Sequence, residues 1–344
     1  MSITPARKRL RIALALAAAG VAALLLGIGA VWRDASLTER PGVSGPVLPD
    51  WREQAALASR IEIVARDVQF SLLRTDQGWV MPSRGGYPVR PDRIAELDAA
   101  LSGLRFSAAM TRDPDKFARL GLVAPGEGGE AVRLTIADAE GRVLADLLIG
   151  DERGEDGLYL RPAFSERAFA AAGSLPDLDA VDRWLGLDFF DLDPAGVARA
   201  RVQPETGPAY ALAKPGLSAR NFELREPRGW RLVTSGAGNG VAVAGARVRF
   251  RDVRPADTLE GAPVAAHAAV TFGGLAYAYT FHADADARWA RLEVSAAADD
   301  AAERAAHFDA RAEGWAFEVS ADAYERMTRP LTGLAEPNPP LPQE

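Results

Sequence analysis

Histidine, carboxylate and glycine clusters are the places where this 344-residue chain could do chemistry. The three histidines are His267, His282 and His307. None forms an H-x₃-H or HExxH pattern, so the spacing supports no zinc site. His282-x-Asp284-x-Asp286 is the nearest approach to a ligand set. It lies between two strand patterns, lacks the glycine and terminal glutamate of an EF-hand loop, and reads as a solvated hairpin turn. Asp151-Glu152, Glu155-Asp156 and Asp299-Asp300 are adjacent acids. Paired carboxylates hydrolyse sugars only when a fold sets them about 5–10 Å apart in a cleft, which adjacency in a turn does not supply. Gly236-Ala-Gly238-Asn-Gly240 follows a strand pattern, but the third glycine of G-x-G-x-x-G would fall at Val241. No G-K-[ST] or G-x-S-x-G is present, so nucleotide and serine-hydrolase chemistry are unsupported. The reading assigns no catalytic, cofactor-binding or metal-binding residue, expects no cofactor, and expects the chain not to be an enzyme.

The segment that would position the rest is Ile12 to Trp32, 21 residues without a charge. As a helix it would measure about 31 Å, the thickness of a bilayer's hydrocarbon core. Arg7, Lys8, Arg9 and Arg11 precede it, whereas Arg33 and Arg40 after it are offset by Asp34 and Glu39. The positive-inside rule then expects a single-pass inner-membrane protein, with residues 1–11 as a cytoplasmic basic tail and the bulk of the chain periplasmic. The rival is a cleaved signal peptide, whose apolar region is about 7–15 residues long. Trp32 fits either an interfacial aromatic or the first linker residue.

Arginine supplies 37 of the 40 basic residues, a bias that with the abundant alanine suggests a GC-rich bacterial genome. Cysteine is absent, which removes disulfide and thiolate chemistry. The net charge is −7, and −11 without the four N-terminal positive charges. That balance argues against nucleic acid as a partner.

Residues 33–50 read as a Pro/Gly-broken linker and 336–344 as a disordered Pro-rich tail. Between them the pattern predicts strands at 61–63, 68–74, 79–81, 132–136, 143–149 and 158–160. It predicts helices at Pro91–Leu104, with Ile94, Leu97, Leu101 and Leu104 on one face, and at 179–190. A short helix between them would be capped by Asp113, started by Pro114 and ended by Gly121. Phe70-x-Leu72 with Gly78-Trp79 is echoed by Phe222-x-Leu224 with Gly229-Trp230, and Gly314-Trp315 opens a third strand. Each glycine would supply a positive φ at a turn, and each tryptophan would cover a core edge or stack on a ligand. The expected fold class is α+β: an N-terminal transmembrane helix, 12–32, followed by two related mixed strand/helix modules with largely antiparallel sheets, at 51–195 and 196–335.

Residues 84–122 resemble a bacterial domain of unknown function found beside gliding-motility-type ABC transporters. The matching features are Gly78-Trp79, Gly86-Tyr87-Pro88-Val89, Leu101-x-x-Leu104, Thr111-Arg112-Asp113-Pro114 and Leu120-Gly121-Leu122. Leu148-Ile149-Gly150, Tyr159-x-Arg161 and Trp184-Leu185 extend the likeness over roughly 50–330, with 236–265 departing most. The resemblance implies a single-span, extracytoplasmic, non-catalytic auxiliary component of an ABC-type transport or export system. Its partner would be a permease/ATPase complex. It transfers no catalytic residue. Two other readings stand beside it: a periplasmic ligand-binding module for glycan, lipid or peptide, and an envelope enzyme with a scattered active site.

Overall fold

The computed structural model describes residues 43–338. The apolar run 12–32 lies outside them. Among the described residues the longest helix, Pro91–Gly103, has 13 residues, and no helix is long and apolar enough to cross a membrane. The expected fold class, a transmembrane helix ahead of two mixed strand/helix modules, is therefore corrected. The chain is sheet-rich, with large antiparallel sheets and short helices. One reason is local punctuation. The helix expected over 179–190 is only Val181–Leu185, because Gly186 turns left-handed at φ 62° and ends it. A second reason is tertiary. Alanine favours helices in isolation, but in Leu275–Asp284 the alanines alternate with Tyr277, Tyr279 and Phe281, which are all buried. Burying that period-two face outweighs intrinsic propensity.

The described residues form two compact units that interleave in sequence. The first combines residues 43–69 with Glu96–Asp179, and the second Phe70–Ala95 with residues 180–338. All three Gly-Trp steps fall in the second unit, so the echo marks one unit and not two successive ones.

In the first unit seven antiparallel strands run in the order Gly45–Pro46, Arg105–Ala109, Phe169–Ala172, Gly157–Pro162, Val143–Glu152, Val132–Ala137, Arg60–Val64. Gly45–Pro46 belongs to the stretch read as linker, and Val47 beside it is buried. The inward positions alternate as the pleat requires, with Ile61 and Ile63 against Leu134 and Ile136 across the ladder. The short helix at Pro114–Leu120 is 3₁₀. The Asp113 side chain accepts from the Asp115 amide, and Gly121 closes it at φ 64°. Phe117 from this turn joins Leu122, Ala131, Leu148 and Ala168 in a small core. The Arg161 guanidinium lies 5.0 Å above the Phe117 ring.

In the second unit eight antiparallel strands run Glu223–Glu226, Tyr210–Ala213, Val197–Gln203, Ala265–Thr271, Leu275–Asp284, Ala287–Ala296, Trp315–Val319, Asp252–Pro255. The helix Ala302–Ala312 packs on the strand Ala287–Ala296 through Ala305, Phe308 and Ala312. Tyr277, Tyr279, Phe281, Phe190, Phe250 and Phe317 make an aromatic core. Trp230–Leu232 pairs with Ala335–Pro337, so part of the expected tail is a strand.

One glycine in the first unit is fixed by close approach. A Cβ on Gly150 would lie 2.1 Å from the Leu120 carbonyl oxygen, whereas one on Gly126 would meet nothing. Gly150→Ala is expected to destabilise the protein by about 1–3 kcal/mol through overpacking. Gly126→Ala should stay within ~0.5 kcal/mol. Urea unfolding of the two variants checks the difference.

Candidate functional site

The chain segment from Gly78 to Asp92 supplies one wall of a cavity of about 640 Å³ in the second unit. The antiparallel strands Gln69–Thr75, Gly78–Met81 and Tyr87–Pro88 build this wall. Gly78 begins its strand at φ 117°, which places Trp79 on the return. Gly85, at φ 68°, lets the loop approach the edge strand, since a Cβ there would sit 2.2 Å from Pro255 Cγ. Arg84 Nε donates to Asp252 Oδ1 at 2.5 Å and ties the same loop to that strand. The opposite wall comes from Gly186, Asp188 and Phe189, the end of the helix Ala302–Ala312, and Trp315.

Aromatic side chains set the shape. Tyr87 is 1% exposed and meets Trp315 edge to face, with centroids 4.9 Å apart at 86°. Phe317 lies 6.1 Å from it at 87°. Trp79, Trp315 and Phe189 are half-buried. Their ring area remains partly available to a bound molecule.

The charges are held by neighbours. Arg90 grips Asp92 in a bidentate pair, Nε to Oδ1 at 3.1 Å and Nη2 to Oδ2 at 2.6 Å. This hydrogen bonding holds the Asp92 carboxyl below its ordinary pKa. Arg311 Nη2 donates to the Gly186 carbonyl at 3.3 Å and more weakly to the Leu185 carbonyl at 3.5 Å. Its guanidinium also lies 5.1 Å above the Phe189 ring. Both arginines pass over Gly186. A Cβ there would come within 2.9 Å of Arg90 Cδ and 3.1 Å of Arg311 Nη2. The Tyr87 hydroxyl is buried beside Arg311. Burial raises its pKa, while the nearby Arg311 charge opposes the shift. Asp188 and Gln77 are exposed lining residues.

The residues singled out for chemistry in the sequence are not gathered here. His267 is fully buried in the core, its Nε2 2.9 Å from the Val241 carbonyl. His282 is buried in its strand, while Asp284 and Asp286 flank a tight turn through Ala285, at φ 48°. Asp284 instead pairs with Arg254 at 2.7 Å. His307 is exposed on the helix Ala302–Ala312. Among the described residues no group of three His, Cys, Asp or Glu side chains could hold a metal ion. The Gly236–Gly240 stretch leads into a short helix at Asn239, whose Oδ1 accepts from the Phe222 amide at 3.0 Å. Asp151-Glu152 end the strand Val143–Glu152, Glu155-Asp156 lie in the turn after it, and Asp299-Asp300 open a 3₁₀ turn.

Tyr87 stood in the sequence only within a Gly-Tyr-Pro-Val turn, and Arg90, Arg311, Asp188 and Phe189 carried no signal. Two cues did exist. Trp79 and Trp315 each follow a glycine of positive φ, as does Trp230.

The fold is thus a pair of sheet-rich units, the second carrying an aromatic groove crossed by two anchored guanidinium groups. Residues 79–242 match the family described as a domain of unknown function, DUF4340. The match contains Trp79, Tyr87, Arg90 and Phe189, whereas Arg311 and Trp315 lie beyond it. No curated protein and no solved structure matches the chain.

His267 has a pH consequence. Burial pushes its pKa down to about 4 from an ordinary 6.5. The unfolded chain therefore takes up this proton in the window where the folded chain does not. From pH 6.5 down to 4, stability should fall by up to ~1.4 kcal/mol per unit on account of this group. Denaturant titrations across that range check it. The His267→Gln variant should lack this part of the slope, and an unchanged slope would refute it.

Proposed function

We propose that this protein is a non-catalytic, extracytoplasmic component of an ABC-type export system, held at the bacterial inner membrane by its N-terminal apolar run, and that it acts by binding. The groove of the second unit carries this reading. Its arginines are committed to Asp92 and to backbone carbonyls, and Tyr87 packs edge to face on Trp315 in its wall. Groups held in this way position a bound molecule at little entropic cost. The location rests on the charge-free stretch after four positive charges. The transport context rests on the Gly-Trp, Gly-Tyr-Pro-Val and Leu-Gly-Leu features, which resemble those of proteins accompanying such transporters.

The groove also favours a second reading, a ligand-binding module that works without a transporter. Purification of the full chain from native membranes in mild detergent separates the two. The first reading expects a permease and an ATPase to co-purify in stoichiometric amounts. Recovery of the protein without any envelope partner would overturn it.

A further inference from the structure

Four ligand classes are compatible with a groove of this size, and its chemistry discriminates among them. The volume lies inside the range of about 300–1,000 Å³ common to small-molecule sites. The charged lining is balanced, with Arg90 and Arg311 against Asp92 and Asp188. Both guanidinium groups already have acceptors, so a phosphate or other strong anion gains little there and meets two carboxylates. A peptide adding as a strand needs unpaired backbone donors along an edge. Along residues 86–90 Gly86 N is bonded to Met81 O, Val89 N to Trp79 O and Arg90 N to Trp184 O, and Pro88 has no N–H. A lipid chain requires a continuously apolar wall, and here carboxylate, amide and guanidinium groups interrupt the aromatic rings.

An uncharged sugar chain meets none of these obstacles. Its ring presents C–H faces that pack on indole and phenyl planes, and its hydroxyls both donate and accept. Trp79, Trp315 and Phe189 offer partly uncovered rings. Asp188 supplies acceptors and Gln77 supplies both kinds of partner. Building on the proposed binding role, we infer that the groove between Trp79 and Trp315 binds a short, uncharged oligosaccharide, stacked on the aromatic rings and oriented by Asp188 and Gln77.

The test uses the full chain in a detergent without a sugar headgroup, titrated with maltotetraose, cellotetraose and triacetylchitotriose, and in parallel with inorganic phosphate and decanoate. Saturable binding of at least one sugar is expected. Trp79→Ala should weaken it about tenfold, the scale of one lost aromatic contact. Asp188→Ala should weaken it several-fold with an unchanged Tm, and because Asp188 is exposed this variant stays informative if the tryptophan variant misfolds. The inference is overturned if no sugar binds saturably, if phosphate or decanoate competes for the same site, or if sugar binding is unaffected by Asp188→Ala in a folded protein. Those outcomes would leave co-purification with a transporter untouched, so the sugar inference and the transport reading fail separately.

Discussion

The contact between Tyr87 and Trp315 is the constraint on which the second unit's groove depends. Tyr87 enters edge-on against Trp315 and Phe317 and loses nearly all its exposure. Aromatic edge-to-face contacts add about 0.5–1.5 kcal/mol to the burial of the rings themselves. The contact joins residues far apart in the chain, so its formation selects one arrangement of the Gly78–Pro88 hairpin against the eight-stranded sheet. Two further ties hold that arrangement, the Arg84–Asp252 pair and the approach of Gly85 to Pro255. Together they hold Phe70–Ala95 within the compact unit that includes residues 180–338.

With the hairpin fixed, the charged groups have little freedom left. The Arg90 amide donates to the Trp184 carbonyl, and its guanidinium turns back to Asp92. Arg311 reaches the carbonyls at the C-terminal end of the helix Val181–Leu185, where a cation is favoured by the helix dipole and by unpaired C=O groups. Gly186 makes room for both arginines. The result is a concave surface of aromatic and hydrogen-bonding groups arranged before any ligand arrives.

Much of the local structure was legible in the sequence, and the assembly was not. Asp113, Pro114 and Gly121 mark their short helix because capping is decided by neighbours in the chain. Ile61, Ile63, Leu134 and Ile136 announce inward strand faces by alternation. Period two does not say which strand pairs with which, so the placement of Phe70–Ala95 in the second unit could not be read. Nor could the alanine-rich stretches near Ala265–Thr271 be weighed, since their strand state depends on neighbouring tyrosines. For the groove, Gly-Trp steps exposed Trp79 and Trp315, but Arg90 and Arg311 looked like ordinary members of an arginine-rich composition. Their roles come from converging on Gly186. The histidines drew attention by their side-chain chemistry, yet His267 serves the core.

A double-mutant cycle on the Tyr87–Trp315 contact tests the foundation of this account most directly. Tyr87→Leu, Trp315→Leu and the combined variant would be compared by denaturant unfolding of the full chain. The account predicts a coupling energy of about 0.5–1.5 kcal/mol between the two positions. Additivity within ~0.3 kcal/mol would mean that the rings do not meet, and the groove as described would not exist.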